Sequence, residues 1–322
     1  MTFQFKAVFL SALACLFFLN VSAQFKIVGY VRPRANMVAE VKTLDLSRLT
    51  HLNVAFINPD TNGVFAEFPQ LDTLVKLAHA NKVKVLLSCG GGSRQKYYHK
   101  LLRKPHRTEL VANFTKFIKK YNLDGIDVDL EGDDIDDNYE DFLIELRKSL
   151  GKKKLITAAV AFYTRKRISD EALKQMDFVN MMAYDKTGPW RANDFGQHSP
   201  MSYALDHLNY WSNERGVPKN KLIIGVPFYG YGFGEVPKKD RTLREMGWKD
   251  ILTKFPEAID NDEIVLPDNG GSIFYNGRKT IVEKTQLALK EAGGIMIWQL
   301  MHDTTDDNSL LKLIKETSIT KK

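Results

Sequence analysis

The chain has 322 residues, of which 44% are hydrophobic, 11% aromatic and 26% charged. That apolar content fits one large folded domain or two small ones and excludes a disordered or collagen-like chain. The net charge of +7 is spread along the sequence with one short run, Lys152 to Lys154. It forms no clustered basic stripe of the kind that nucleic-acid binding needs, so no nucleic-acid partner is expected.

At the start, Lys6 precedes an almost wholly apolar run at 7–19, and Val21-Ser22-Ala23 ends it as a small-residue cleavage pattern. This reads as a secretory signal peptide over 1–23, leaving a mature domain over 24–322 that is exported to the periplasm or the medium. The run is too short for a membrane span, and no later stretch is long and apolar enough for one. Cys15 leaves with the leader, so Cys89 stands alone and no intramolecular disulfide can form. A monomer held by its own apolar core is expected.

The mature chain then alternates short β-branched runs with helical periods. The strands are expected at 26–31 (KIVGYV), 52–57 (LNVAFI), 84–89 (KVLLSC), 125–131, 155–162 (LITAAVAF), 178–185 (FVNMMAYD), 222–229 (LIIGVPFY) and 294–300 (GIMIWQL). Helical spacing predicts helices over 71–80, 107–121, 139–150, 201–215 and 280–291, with Lys104-Pro105 and Ser199-Pro200 as helix starts. Eight strands alternating with helices indicate an α/β fold, a (β/α)₈ TIM barrel in a single catalytic domain. An open doubly wound sheet would need a Gly-rich phosphate turn after the first strand, which is missing. About sixty residues separate the seventh strand from the eighth, roughly twice what a crossover needs. A short insertion is therefore expected there, part of it a helix over 242–255.

The fourth strand, LDGIDVDLEG, is the informative one. Ile126, Val128 and Leu130 alternate with Asp127, Asp129 and Glu131, so three carboxyls share one face of an apolar strand, with Asp124 just ahead. A calcium loop would require a bidentate Glu where Asn138 stands. A solvated acidic face suits Asp133, Asp134, Asp136 and Asp137 but not carboxyls alternating with apolar residues. Acid–base chemistry remains: stacked carboxyls cannot all ionise, their pKa values separate, and the one at the mouth is held protonated. Aromatics cluster near the other strand ends, among them Tyr30, Phe56, Tyr163, Tyr229 and Trp298. They suit a cleft that stacks on pyranose rings, or they pack the barrel.

Asp124-Gly-Ile-Asp-Val-Asp-Leu-Glu131 resembles the DGxDxDxE signature of glycoside hydrolase family 18, the chitinases. Ser88-Cys-Gly-Gly91 resembles the family's SxGG, Met182-Ala-Tyr-Asp185 its MxYD, and 216–230 and 293–298 its seventh and eighth strands. The resemblance implies a secreted hydrolase of β-1,4-linked N-acetylglucosamine polymers, with chitin or chitooligosaccharides as partner and neither cofactor nor metal. Glu131 would be the general acid. Asp129 would orient the substrate's 2-acetamido group, which is itself the nucleophile, and Asp127 would share a proton with Asp129. Tyr184 would hold the acetamido carbonyl, with Met182 and Asp185 lining the pocket and Trp298 as its floor. Tyr30, Phe56, Trp190 and Tyr229 are further candidate sugar contacts; Asp124, Ser88, Gly90 and Gly91 are candidate supports. Two positions depart from many relatives, Tyr231 in place of Arg and Gln299 in place of Glu or Ser. Alternatives are an endo-β-N-acetylglucosaminidase acting on N-glycans and a chitin-binding lectin, the latter disfavoured because Glu131 is present.

Overall fold

The structure, a computed structural model, describes residues 24–191 and 194–320. The expected leader and Cys15 lie outside the described residues. Eight parallel strands close a barrel in the order β1-β2-β3-β4-β5-β6-β7-β12. They are β1 Lys26–Val31, β2 His51–Ala55, β3 Lys84–Gly90, β4 Gly125–Asp129, β5 Leu155–Val160, β6 Phe178–Met181, β7 Leu222–Pro227 and β12 Gly294–Trp298. β12 returns to β1 and pairs Ile295 with Ile27, which closes the ring.

The two-residue period of each strand divides its side chains between the interior and the helical shell. On β4, Ile126 and Val128 are fully buried, and they share one core with Phe114 and Ile118 of helix His106–Lys120 and with Phe142 and Leu146 of helix Tyr139–Leu150. Burying each such side chain stabilises the fold by about 1.5–3 kcal/mol, and this fixes which face of β4 points inward. The inward face is the carboxyl row. Among the described residues, no helix is long and apolar enough to cross a membrane.

Two expectations need correction, and one feature was not expected. The sixth strand stops at Met181, so Tyr184 and Asp185 sit on the loop beyond it; Asp185 adopts φ +59°, a left-handed turn that no strand continues through. The expected helix over 242–255 is a 3₁₀ turn, Arg241–Leu243, then strand β9, Glu245–Gly247, and only then helix Trp248–Lys254. Gly247 takes an extended conformation as the N-cap and stops the helix from reaching further back. Finally, the insertion carries a four-stranded antiparallel sheet in the order β10-β11-β8-β9, with β8 Tyr229–Phe233, β10 Glu263–Leu266 and β11 Gly271–Phe274. Strands of three to five residues are too short to show alternation, and Tyr229-Gly-Tyr-Gly-Phe233 alternates aromatics with glycine, which weakens any strand signal.

Candidate active site

The carboxyl row lies inside the barrel and runs up to its C-terminal mouth. Asp127 is fully buried and accepts four hydrogen bonds. Tyr30 Oη at 2.6 Å and Ser88 Oγ at 2.8 Å donate to its Oδ2, while Thr157 Oγ1 at 2.5 Å and Asn180 Nδ2 at 3.1 Å donate to its Oδ1. Burial pushes the Asp127 pKa above the usual carboxylate range, and these four donors pull it back. Asp129 is different. It is 4% exposed, and its Oδ1 is sealed from solvent with no protein partner. Burial, then the charges of Glu131 and Asp127, all push its pKa well above the ordinary value. A carboxylate ringed by donors favours its charge and one without donors favours its proton. The four donors therefore favour charge on Asp127, and the unpartnered Oδ1 favours a proton on Asp129. No hydrogen bond joins the two carboxyls.

Glu131 stands at the mouth. Burial chiefly raises its pKa; a hydrogen bond from Tyr163 opposes this, and Asp185 adds to it. Tyr163 Oη donates to Glu131 Oε2 at 3.1 Å from the 3₁₀ helix Phe162–Arg167 after β5, although Tyr163 is itself 63% exposed. The hold on β4 from β3 explains the two glycines. Gly90 has φ +99°, and a Cβ there would lie 2.2 Å from the Asp129 carbonyl oxygen. Gly91 has φ +94°, and a Cβ there would lie 2.4 Å from the Phe56 ring. Only glycine lets the chain pass this close to the row. Asn58 completes the brace, accepting from Gly90 N at 2.7 Å and donating to Gly90 O at 3.0 Å.

Aromatic rings form the walls. Trp298 stacks on Phe56 with centroids 5.6 Å apart and leans over Tyr30 at 5.5 Å. The peptide bonds Ala55–Phe56 and Trp298–Gln299 are cis. Opposite them, Tyr229 Oη donates to Asp185 Oδ1 at 2.5 Å, and Tyr184 lies edge-on to Tyr229 with its hydroxyl 3.7 Å from Met296 Sδ. Met182 packs on this cluster, and Tyr231 joins it between Tyr229 and the half-exposed Trp190, whose ring meets Tyr231 edge-on at 5.1 Å. Gln299 is 1% exposed, and its side chain caps the turn that follows by accepting from Met301 N at 3.2 Å.

The structure thus brings together Tyr30, Ser88, Gly90, Gly91, Asp127, Asp129 and Glu131 on one side and Met182, Tyr184, Asp185, Trp190 and Tyr229 on the other, with Phe56 and Trp298 flanking Tyr30. Asp124 is the exception. Its carboxylate accepts from Val85 N at 2.8 Å and lies 2.7 Å from His79 Nε2, at the opposite end of β4. It supports the barrel floor and not the row. Sequence reasoning missed Thr157, Asn180 and Asn58 and gave Tyr163 no partner. Thr157 faces Asp127 directly across β4 and β5, a register that no local pattern displays.

A closed parallel barrel with a buried carboxyl row running to its C-terminal mouth, walled by flat rings, has the form of a glycosidase site on a TIM barrel. The chain belongs to glycosyl hydrolases family 18, whose model matches residues 26–303. It is 37% identical to the GH18 chitinase ChiB from the chitin utilization locus of Flavobacterium johnsoniae, with a TM-score of 0.83 over 92% of this chain and 94% of that one. A chitinase from Bacteroides thetaiotaomicron is 27% identical, with a TM-score of 0.81 over 92% and 97%. The endochitinase of Manduca sexta is 29% identical over 60% of this chain and 42% of its own. The chain spans about half the length of the curated relatives it matches.

Proposed function

We propose that the protein is a secreted chitinase that hydrolyses β-1,4 linkages between N-acetylglucosamine units with retention of configuration. The carrying observation is Asp129 Oδ1, a buried acceptor with no protein partner, set between Asp127 with its four donors and Glu131 at the mouth. An unpaired buried oxygen is costly unless something else fills it, and an acetamido N–H supplies the missing donor. In this reading Glu131 protonates the glycosidic oxygen as the acetamido carbonyl oxygen closes on C1 and forms an oxazolinium ring. Asp129 accepts the acetamido N–H through one oxygen, and its own O–H donates to the carboxylate that Glu131 becomes. The negative charge on Asp127 and Glu131 offsets the positive charge of the ring. Glu131 then takes a proton from water as it opens the ring, and two inversions leave the β-anomer. Tyr184 and Asp185 hold the acetamido carbonyl side, and Trp298 lies under the sugar. The apolar run at 7–19 and Val21-Ser22-Ala23 direct export, with cleavage after Ala23; amino-terminal sequencing of the protein recovered outside the cytoplasm should begin at Gln24.

The test is hydrolysis of chromogenic chitobiose and chitotriose glycosides beside a high-mannose glycoprotein, with proton NMR of fresh product. Release from the chitooligosaccharides as β-anomer is expected. Release from the glycoprotein alone would make the enzyme an N-glycan endoglycosidase, binding without hydrolysis would make the protein a lectin, and initial α-anomer would refute the acetamido nucleophile.

A further inference from the structure

A buried cation lies behind the site and takes no part in the chemistry above. Lys284, on helix Arg278–Glu291, is 0% exposed. Its Nζ lies 2.7 Å from Ser199 O, 2.6 Å from Ser199 Oγ and 2.7 Å from Asn276 Oδ1. An ammonium has three protons, and these are three acceptors, none of them a carboxylate. A lysine buried without an anion is expensive where a neutral side chain would pack.

Ser199 connects it to the reacting region. Ser199 Oγ donates to Ala183 O at 2.7 Å, and Lys186 N donates to His198 O at 2.9 Å. His198 Nδ1 lies 3.5 Å from both Asp185 N and Asp185 Oδ1. The pair His198-Ser199 therefore grips the turn 183–186 at both ends, with Asp185 at φ +59° inside it. On its other side the pair is held by Lys284, by Asn276 Nδ2 donating to Ser199 O at 3.0 Å, and by Gln197 Oε1 accepting from Ser199 N at 3.1 Å.

We infer that Lys284 is a positioning residue for the turn that presents Tyr184 and Asp185, acting by fixing the direction of the Ser199 hydroxyl. This rests on the reading of those two residues as acetamido contacts. A serine hydroxyl has one proton. While Lys284 donates to Ser199 Oγ, that proton can only point away, toward Ala183 O. A neutral amine has two protons for the same three acceptors and a lone pair that can take the Ser199 proton, which frees Ala183 O and slackens the turn. Burial pulls the Lys284 pKa down to about 7, with Asp262 opposing, so both forms are reached near neutrality. The other titratable groups facing it are His198 and His207 of helix Met201–Leu208, both held low by burial and so neutral there.

Lys284→Met and Ser199→Ala are assayed on the chitotriose glycoside and crystallised beside the parent. Lys284→Met should lower kcat roughly tenfold or more with KM within about threefold, since a misplaced contact acts on the transition state. Ser199→Ala should lower kcat about three- to tenfold, and in both variants the turn 183–186 should shift. Parent-like kcat with a superimposable turn in the folded Lys284→Met and Ser199→Ala variants overturns the inference. If Lys284→Met does not fold, Ser199→Ala decides. A parent that hydrolyses no glycoside would refute the proposed function, while the position of the turn would still judge the role of Lys284.

Discussion

Replacing Tyr163 by Phe removes one hydrogen bond to the proposed general acid and leaves the ring in place. Tyr163 Oη donates to Glu131 Oε2 at 3.1 Å, so it favours the ionised form and lowers the Glu131 pKa. A typical net hydrogen bond is worth about 0.5–1.5 kcal/mol, and at about 1.36 kcal/mol per pH unit this is roughly 0.4–1.1 units. The 63% exposure of Tyr163 places the effect toward the lower end. A general acid works while protonated, so raising its pKa extends activity to higher pH. The alkaline limb of kcat/KM in Tyr163→Phe should therefore move upward by about half a unit, while the acid limb stays where it is. The assay is the pH profile on a chitotriose glycoside, read for the position of each limb and not its height, since Tyr163 can also touch substrate. An alkaline limb that stays put or moves down would refute the assignment of that limb to Glu131.

Thr157→Val keeps shape and removes the 2.5 Å donor to Asp127, which should cost about 1.5–3 kcal/mol in urea unfolding, the range for a hydrogen bond to a charged group; a loss below about 0.5 kcal/mol would mean that Asp127 is not the ionised member. Asp124→Asn should weaken the barrel floor and leave kcat on the same substrate within about twofold, because the residue sits at the far end of β4; a large fall in kcat would return it to the site. His51 and His207 are both held down to about pKa 3, chiefly by burial. Their contribution is present above about pH 6.5 and is lost as pH falls toward 3, because the unfolded chain takes up protons that the folded one refuses. Urea unfolding of His207→Phe between pH 7 and 4 should decline less steeply than the parent, and equal slopes would contradict this.

What the sequence disclosed was what its local periods encode. Ile126, Val128 and Leu130 fix the inward face of β4, so the carboxyl row could be read before any tertiary contact was known. The barrel followed from eight recurring apolar runs. What stayed hidden depends on how strands line up side by side. Thr157 and Asn180 reach Asp127 from two other strands, and nothing near them in the chain marks them as its partners. Asp124, a candidate support, is close to Asp129 in sequence, yet five strand residues at roughly 3.3 Å each put it some 17 Å away, where it braces the other end of the barrel. Tyr184 and Asp185 were placed on a strand because FVNMMAYD stays apolar past Met181, where the chain has already turned. The insertion sheet was invisible because its strands are short and β8 alternates glycine with aromatics.

In the proposed mechanism Glu131 gives and takes the proton at the head of a row whose other carboxyls bind and orient. Glu131→Gln tests it most directly. The amide keeps the shape and still accepts from Tyr163, but it has no acid proton. Hydrolysis rate and chitooligosaccharide affinity are measured on one purified sample, with thermal unfolding as control. General acid–base catalysis is worth about 10²–10⁴-fold, and a poor sugar leaving group pushes the loss to the upper end. The expected result is a folded protein that has lost about 10⁴-fold in rate and still binds chitooligosaccharide, since Trp298, Tyr184 and Asp129 remain. A folded Glu131→Gln protein that hydrolyses at near the parent rate would contradict it.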